Sequence, residues 1–535
     1  MGSSTSAQMQ SASSGDPAPR LTRGLAVIAV GFFLLEWLPA WHGPAGYFID
    51  EYYYFACSDR LAFGYVDHPP LSIWLLRLVR TLLGDSLPAV RLVPALAAAA
   101  TVLITGDLAR RLGARTWGQC LAGAAVAAAP VAQTLFGFYS MNALAVLFWT
   151  ACFWLVVEIE LRKEPRLWLA VGAVAGLALE NKHTVVLLAL GLGAGMLASR
   201  ARRRLASRWL WAGVGVALVC GLPNLIWQQT HGWPSLEFYR AQDLLKNNPT
   251  PALEVLWQQV LAANPLSLPI WLSGLALLLR REDDRDLRHL GIAYLVLLAL
   301  LMAGGKSRPD RIAAVYPLLF AAGGAFLEAR LASGAWRAAR VALPVAVVGA
   351  GIALAPLTLP LLPPETAARY TQALGVVPQL EAGEGKRSEL PQWLADRYGW
   401  EQLLADVEAV VQVLGVEERS GAFILAAGYG QAAPLEFLGR NRGLPPIYSG
   451  HNSYYLWGPP PDSVRLAIVV GYGDEGADGS LAPDPGLAAA FDRIELARVH
   501  RCRWCMRWRD RMPIWIARGL RRPPSELWPQ VRHFQ

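Results

Sequence analysis

Eleven apolar runs separated by arginine clusters constrain this chain more than any other feature. They lie near residues 24–42, 88–109, 119–136, 141–161, 167–180, 184–198, 209–227, 264–280, 289–303, 312–329 and 341–362. Their lengths centre on roughly 18–22 residues, which is what an α-helix needs to cross ~30 Å of hydrocarbon. Only 17% of the 535 residues are charged, against about 25% in an ordinary soluble domain. The pattern predicts a polytopic α-helical membrane protein with about eleven spans.

The basic connectors fall at every second gap: "RRLGAR" from Arg110, "LRKEPR" from Leu161, "SRARRRLASR" from Ser199, "RREDDRDLR" from Arg280, and the segment from Arg330 to Arg340. The positive-inside rule makes these cytoplasmic, together with a disordered, Ser-rich N-terminus at residues 1–22. The first run follows Arg20 and Arg23 but contains Glu36 and has no convincing small-residue cleavage site, so it reads as a retained span. The net charge of +8 is explained by these loops, and no nucleic-acid motif accompanies it.

The alternate connectors then face outward. They are the loop 43–87, "FGFYSMN", "LENKHT", the loop 228–263, "GGKSRPDR", and everything after about residue 363. Asp50, Glu51, Asp67, His68, Asn142, Glu180, Lys182, His183, His231, Lys306 and Arg308 all belong to this set. Single ionisable groups at membrane ends usually snorkel to water. So many on one face point to a shared site. The chain thus divides into the N-terminus 1–22, a membrane domain 23–362 and a tail 363–535.

In the tail the periodicity changes. "WEQLLADVEAVVQVL" has helical spacing, whereas "AFILAAGY", "VRLAIVVGY" and "MPIWIARGL" read as short buried strands. Alternating helix and strand predict a small α/β domain with a partly parallel sheet. Its "GYGQAAPLEFLG" and "GYGDEGADG" do not have the spacing of a nucleotide-binding turn. Cys502 and Cys505 form one CxxC without a second pair, which favours a disulfide over zinc.

Asp50 follows the first span, where a carboxylate can take a proton from a hydroxyl or amine nucleophile. With Glu51 it also has the chemistry to ligate a divalent cation, although no metal is assigned. The blander alternative is a solvated acidic pair, and Tyr52–Tyr53–Tyr54–Phe55 reads as an interfacial aromatic belt. Asp67–His68 precedes two prolines and an amphipathic segment suited to the membrane surface. Lys182, Lys306, Arg308 and Arg311 offer donors for a lipid phosphate, whose departure cationic groups would ease.

"DEYYYFACSDRLAFGYVDHPPL", the polar turn of "LENKHTVVLL", "GLPNLIWQQTHGWPSLEFYR", "NPLSLPIWLSGL" and "YPLLFAAGGAFLE" resemble bacterial glycosyltransferase family 39. That family includes protein O-mannosyltransferases and the lipid A aminoarabinose transferase. The resemblance runs on through "GHNSYYLWGP" and "CRWCM" in the tail. It implies a GT-C fold, a polyprenyl-phosphate sugar donor and inversion at the anomeric carbon. Asp50 matches the catalytic base and Glu51 its acidic neighbour. Asp67 and His68 match the pair before the prolines, which is Glu-Lys in the aminoarabinose enzyme. Asn142 stands where many relatives carry an acid, and "GGKSRPDRIAAVYP" replaces a tyrosine-rich stretch. Asp67, His68, Asn142, Lys182, Lys306 and Arg308 are therefore the expected donor phosphate and sugar contacts, and His231 is a candidate acceptor or metal contact.

These features predict an inverting glycosyltransferase of the bacterial inner membrane. Asp50 is its base, and its active site and tail lie outside the cytoplasm. It would move a sugar from a polyprenyl-phosphate donor to a lipid, glycan or protein acceptor. The alternatives are a transporter or flippase for a lipid-linked sugar and a non-catalytic glycolipid binder. Transporters group charges near the bilayer midplane within repeated halves, and this chain shows no evident repeat.

Overall fold

The computed structural model describes residues 21–245, 249–280, 286–305, 308–331, 336–375, 388–475 and 480–535. Nearly all of the N-terminal segment, and Lys306, lie outside the described residues. Among those described, six helices are long and apolar enough to cross a membrane. They are Arg23–His42, Leu87–Arg111, Met141–Arg162, Arg208–Thr230, Pro309–Arg330 and Arg337–Thr358.

Three further helix pairs pass the same test but are bent: Thr116–Ala127 with Pro130–Phe136 by 64°, Val185–Leu197 with Arg200–Ala206 by 112°, and Ala252–Ala262 with Pro265–Leu279 by 90°. Pro130 and Pro265 open the second limb of two of these pairs, where a missing N–H breaks the ladder. Two shorter apolar helices, Pro165–Leu179 and Arg288–Ala303, account for the remaining runs. Each apolar run of the sequence thus corresponds to a helix or a bent helix pair, as a multi-pass membrane protein requires.

Small residues let these helices approach backbone to backbone. A Cβ on Gly172 would lie 2.1 Å from the carbonyl oxygen of Gly213, and one on Gly323 would lie 2.0 Å from that of Ile270. Neither position accommodates a side chain without moving a helix. The bundle encloses a continuous apolar core that runs from Leu25 to Val347.

The tail carries a five-stranded sheet with β1 (Ala422–Ala426), β2 (Ile447–Ser449), β3 (Leu466–Val470), β4 (Phe491–His500) and β5 (Met512–Leu520) in the order β2-β1-β3-β5-β4. β1 pairs parallel with β2 and β3, while β5 pairs antiparallel with β3 and β4. The three strands expected from sequence are β1, β3 and β5. β4 escaped that reading because most of its residues are not buried, as befits an edge strand with a register shift between Leu496 and Arg498.

The tail does not stand apart from the membrane bundle's first loop. Tyr52, Tyr53, Tyr54 and Phe55 are at most 3% exposed, and they share one core with Trp400, Leu403, Val407, Ile424 and Ala432. The aromatic run is therefore the buried joint between loop and tail and not a membrane belt. The membrane-facing role suits the Leu71–Leu83 helix better, because Trp74, Leu78, Leu82 and Leu83 on it are exposed.

Candidate functional site

The two acids of the opening loop occupy the first turn of the Ile49–Asp59 helix, the end where the macrodipole favours carboxylates. Being adjacent, they point to different surroundings. Glu51 is completely buried. Its oxygens accept from Arg91 Nε (3.1 Å) and Nη2 (2.9 Å), from the backbone N–H of Phe48 (2.7 Å) and from that of Tyr139 (2.8 Å). Burial would raise this carboxyl, but the charge and hydrogen bonds of Arg91 outweigh it and hold the group below its ordinary value. With its lone pairs taken by protein donors, Glu51 ties three segments together. Glu51, expected beside Asp50 as a catalytic acid, is thus enclosed in an ion pair with Arg91.

Asp50 is partly exposed and accepts a hydrogen bond from the Tyr429 hydroxyl at 3.1 Å. Tyr429 opens the Tyr429–Leu438 helix of the tail, and its ring stacks on Tyr53 at 4.4 Å. Sequence reasoning weighed "GYGQAAP" only as a nucleotide turn. Nothing local marked its tyrosine as the partner of an acid 379 residues away.

The tail also reaches the second acid. Tyr53 donates to Asp67 Oδ1 at 2.9 Å and accepts from the backbone N–H of Ser453 at 3.2 Å. His68 is wholly buried among Tyr53, Tyr54 and Tyr65. Burial lowers its pKa, so the ring is neutral at pH 7. Its Nδ1 meets the Pro69 carbonyl at 3.1 Å. A neutral, enclosed imidazole does not replace the lysine of the aminoarabinose enzyme as a phosphate contact, and that expectation is corrected.

A second cluster lies at the turn between the Trp168–Leu179 and Val185–Leu197 helices. Lys182 Nζ donates to Asn142 Oδ1 at 2.5 Å. The charges of Asp310, Arg308 and Arg311 all act on Lys182. Arg308 Nε pairs with Asp310 Oδ1 at 3.1 Å. Burial, partly offset by Asp310, lowers the Lys182 pKa to about 8. Three cations here act around Asp310, and Asp243 also acts on Arg311.

Asn142, Lys182, Asp310 and Arg311 line a small cavity together with Leu135 and Val146. The last two also line a second small cavity with Val131, Ala132, Tyr316 and Phe320.

Two tyrosines join this cluster to the acids. The Tyr54 hydroxyl accepts from the N–H of Met141 (3.3 Å), next to Asn142. Burial, then the charges of Asp50 and Asp67, raise its pKa. Tyr239 bonds His183 Nδ1 at 3.1 Å and feels both Asp67 and Arg311. Asp50, Asp67, Asn142, Lys182 and Arg308 therefore converge, with Arg311, Tyr54, Tyr239 and Tyr429 added by the tertiary structure.

His231 lies apart, exposed at the end of the Arg208–Thr230 helix and stacked on Trp227 at 4.2 Å. No group of three metal-ligating side chains occurs among the described residues, so His231 has no co-ligands there. Cys502 and Cys505 are free thiols, and the Cys505 Sγ–H donates to the Cys502 carbonyl at 3.1 Å. The expected disulfide is not formed.

Comparison with known proteins places this geometry. Residues 67–227 match the family model described as dolichyl-phosphate-mannose-protein mannosyltransferase. The lipid A galacturonosyltransferase RgtD of Rhizobium johnstonii is 26% identical over 284 residues, which cover 52% of this chain and 59% of that protein. The match thus spans about three fifths of that relative. ArnT from Cupriavidus metallidurans, solved bound to undecaprenyl phosphate, aligns with a TM-score of 0.53 at 16% identity over 92% of this chain and 97% of its own. The arabinofuranosyltransferase AftD from Mycobacteria aligns with a TM-score of 0.52 at 15% identity, over 94% of this chain and 40% of its own. The expected architecture, a helical membrane bundle with a small α/β tail, is the one these structures share. Family match over residues 67–227, sequence relative and shared fold together support a glycosyltransferase similar to those of family 39.

Proposed function

We propose that the protein is an inverting glycosyltransferase that moves a sugar from a polyprenyl-phosphate donor to an acceptor outside the cytoplasm. The observation that carries this reading is the paired cavity. Lys182 and Arg311 line one cavity with Asp310, while Arg308 and Asp243 act beside them, and the neighbouring cavity is lined by Val131, Ala132 and Phe320. Cations gathered beside an apolar cavity suit an anionic head group with a hydrocarbon chain attached. An isoprenoid phosphate meets both demands. The undecaprenyl phosphate in the ArnT structure and the lipid-phosphate donor in the family description agree with this chemistry.

In this reading Asp50 takes the proton of an acceptor hydroxyl as its oxygen attacks the anomeric carbon. The bond from that carbon to the phosphate oxygen breaks on the opposite face, which inverts the centre. The electron pair leaves on the phosphate, where Lys182, Arg308 and Arg311 receive the developing charge. Tyr429 holds the Asp50 carboxylate in place, and Asn142 aims Lys182. We read residues 23–362 as the membrane catalytic domain, residues 363–535 as extracytoplasmic, and the compartment as the bacterial inner membrane, following the arginine clusters.

The test is transfer from a radiolabelled polyprenyl-phosphate hexose by purified protein, with membrane extract as acceptor source. Asp50→Asn should bind donor and fail to transfer it. Equal transfer by this variant would refute the base. Donor binding by wild type without transfer to any extract would instead favour a carrier of lipid-linked sugar.

A further inference from the structure

The tail contains a group of nucleophilic and titratable side chains that the transfer reaction does not use. A turn at residues 501–506 follows β4 and carries Cys502 and Cys505. The Cys505 Sγ–H donates to the Cys502 carbonyl at 3.1 Å, and both Cys505 and His500 act on the Cys502 thiol. His500 is buried, and its Nδ1 contacts Asp406 Oδ2 at 2.7 Å, which leaves Nε2 unengaged by that carboxylate. Asp406 also accepts from Arg498 Nε at 2.6 Å. A carboxylate, an imidazole and two thiols thus gather at this turn.

Two other features surround Cys502. Its sulfur lies against the Cα of Gly399, where an added Cβ would come within 2.5 Å. Gly399 caps the N-terminus of the Trp400–Gln412 helix, the positive end of that dipole. Arg509 acts on both sulfurs. It is held over the Trp400 ring at 4.1 Å and bonds the Asp396 carboxylate at 2.9 Å, while its Nε has no acceptor. The Cys505 hydrogen bond, then His500 and Arg509, hold the Cys502 thiol well below its ordinary pKa despite burial.

We infer that Cys502 and Cys505 form a redox-active dithiol that exchanges with small anionic disulfides. Cys502 is the more exposed of the two, at 9% against 3%, and the exposed Arg501, Arg503 and Arg507 around it attract an anion. The Cys502 thiolate attacks one sulfur of R–S–S–R, the S–S bond breaks and one RS⁻ departs. Cys505 then gives its proton to His500 and attacks the Cys502 sulfur, expelling the second RS⁻. The two protein thiols are oxidised to a disulfide, the oxidant is reduced to two thiols, and these take up the two protons.

The full-length protein, reduced and then incubated with oxidised glutathione, provides the test. Trypsin cleaves after Arg501, Arg503 and Arg507, so the oxidised pair appears as Cys502–Arg503 linked to Trp504–Arg507. Cys505→Ser should trap glutathione on Cys502. At pH 6 iodoacetamide should alkylate Cys502 of the native wild type at least about ten-fold faster than in His500→Asn, because the imidazole no longer stabilises the thiolate. Absence of the linked peptide from wild type, with both thiols alkylated only after denaturation, would overturn the inference. A wild-type alkylation rate equal to that of a correctly folded His500→Asn would do so too.

Discussion

The hydroxyl of Tyr429 donates to Asp50 Oδ1 at 3.1 Å, so a residue of the tail fixes the acid of the first loop. Hydrogen bonds to charged groups contribute about 1.5–3 kcal/mol. Tyr429→Phe should therefore lower the transfer rate by about ten-fold or more, since each 1.4 kcal/mol is a factor of ten. Donor affinity and thermal midpoint should stay near wild type, because the ring and its stacking on Tyr53 are retained. Kinetics and donor binding on the same preparation would separate these effects.

Glu51 predicts the opposite profile. Glu51→Ala leaves Arg91, 1% exposed, without its counter-charge. Breaking one partner of a buried pair costs about 3–5 kcal/mol. The variant should lose stability in a denaturation assay before any catalytic effect can be assigned. Because the folded carboxyl is held below its unfolded value, its contribution is present above pH ~4.3 and is lost as pH falls through the folded pKa. Wild type should thus weaken with acid, and Glu51→Gln should flatten that limb.

Lys182 sets an alkaline limit on donor binding. Its pKa is lowered to about 8, so it is largely protonated at pH 7 and loses its charge above pH 8. Donor affinity should fall through that range. Lys182→Met should weaken binding by about 10–100-fold at pH 7, the equivalent of one charge-assisted hydrogen bond. Lys182→Arg should extend binding toward pH 9, since guanidinium stays charged. Titrating donor Kd against pH checks all three.

Arg440 offers a contrast in magnitude. It reaches from the tail to Asp59 and Asp85 of the first loop, pairing with Asp85 at 3.1 Å, but all three side chains are about a third exposed. Solvent-screened pairs are worth about 0.2–1 kcal/mol each. Arg440→Ala should therefore change the thermal midpoint little, and raised salt should shrink even that difference.

The sequence alone determined where the helices lie and what class of chain this is. Hydrophobic run length and arginine punctuation are local quantities set by the width of a bilayer, so each apolar run could be read directly. Asp50 was legible for a similar reason, as an acid just beyond the end of a span. What only the tertiary structure decided was which polar groups meet. Glu51 is neutralised by Arg91 and by the Tyr139 amide, 40 and 88 residues away. His68 looked like a phosphate ligand until three tyrosines enclosed it. Tyr429 approaches Asp50 because an aromatic core joins the first loop to the tail. Burial and charge pairing fix the roles of ionisable groups, and both depend on contacts between distant residues that no local pattern encodes.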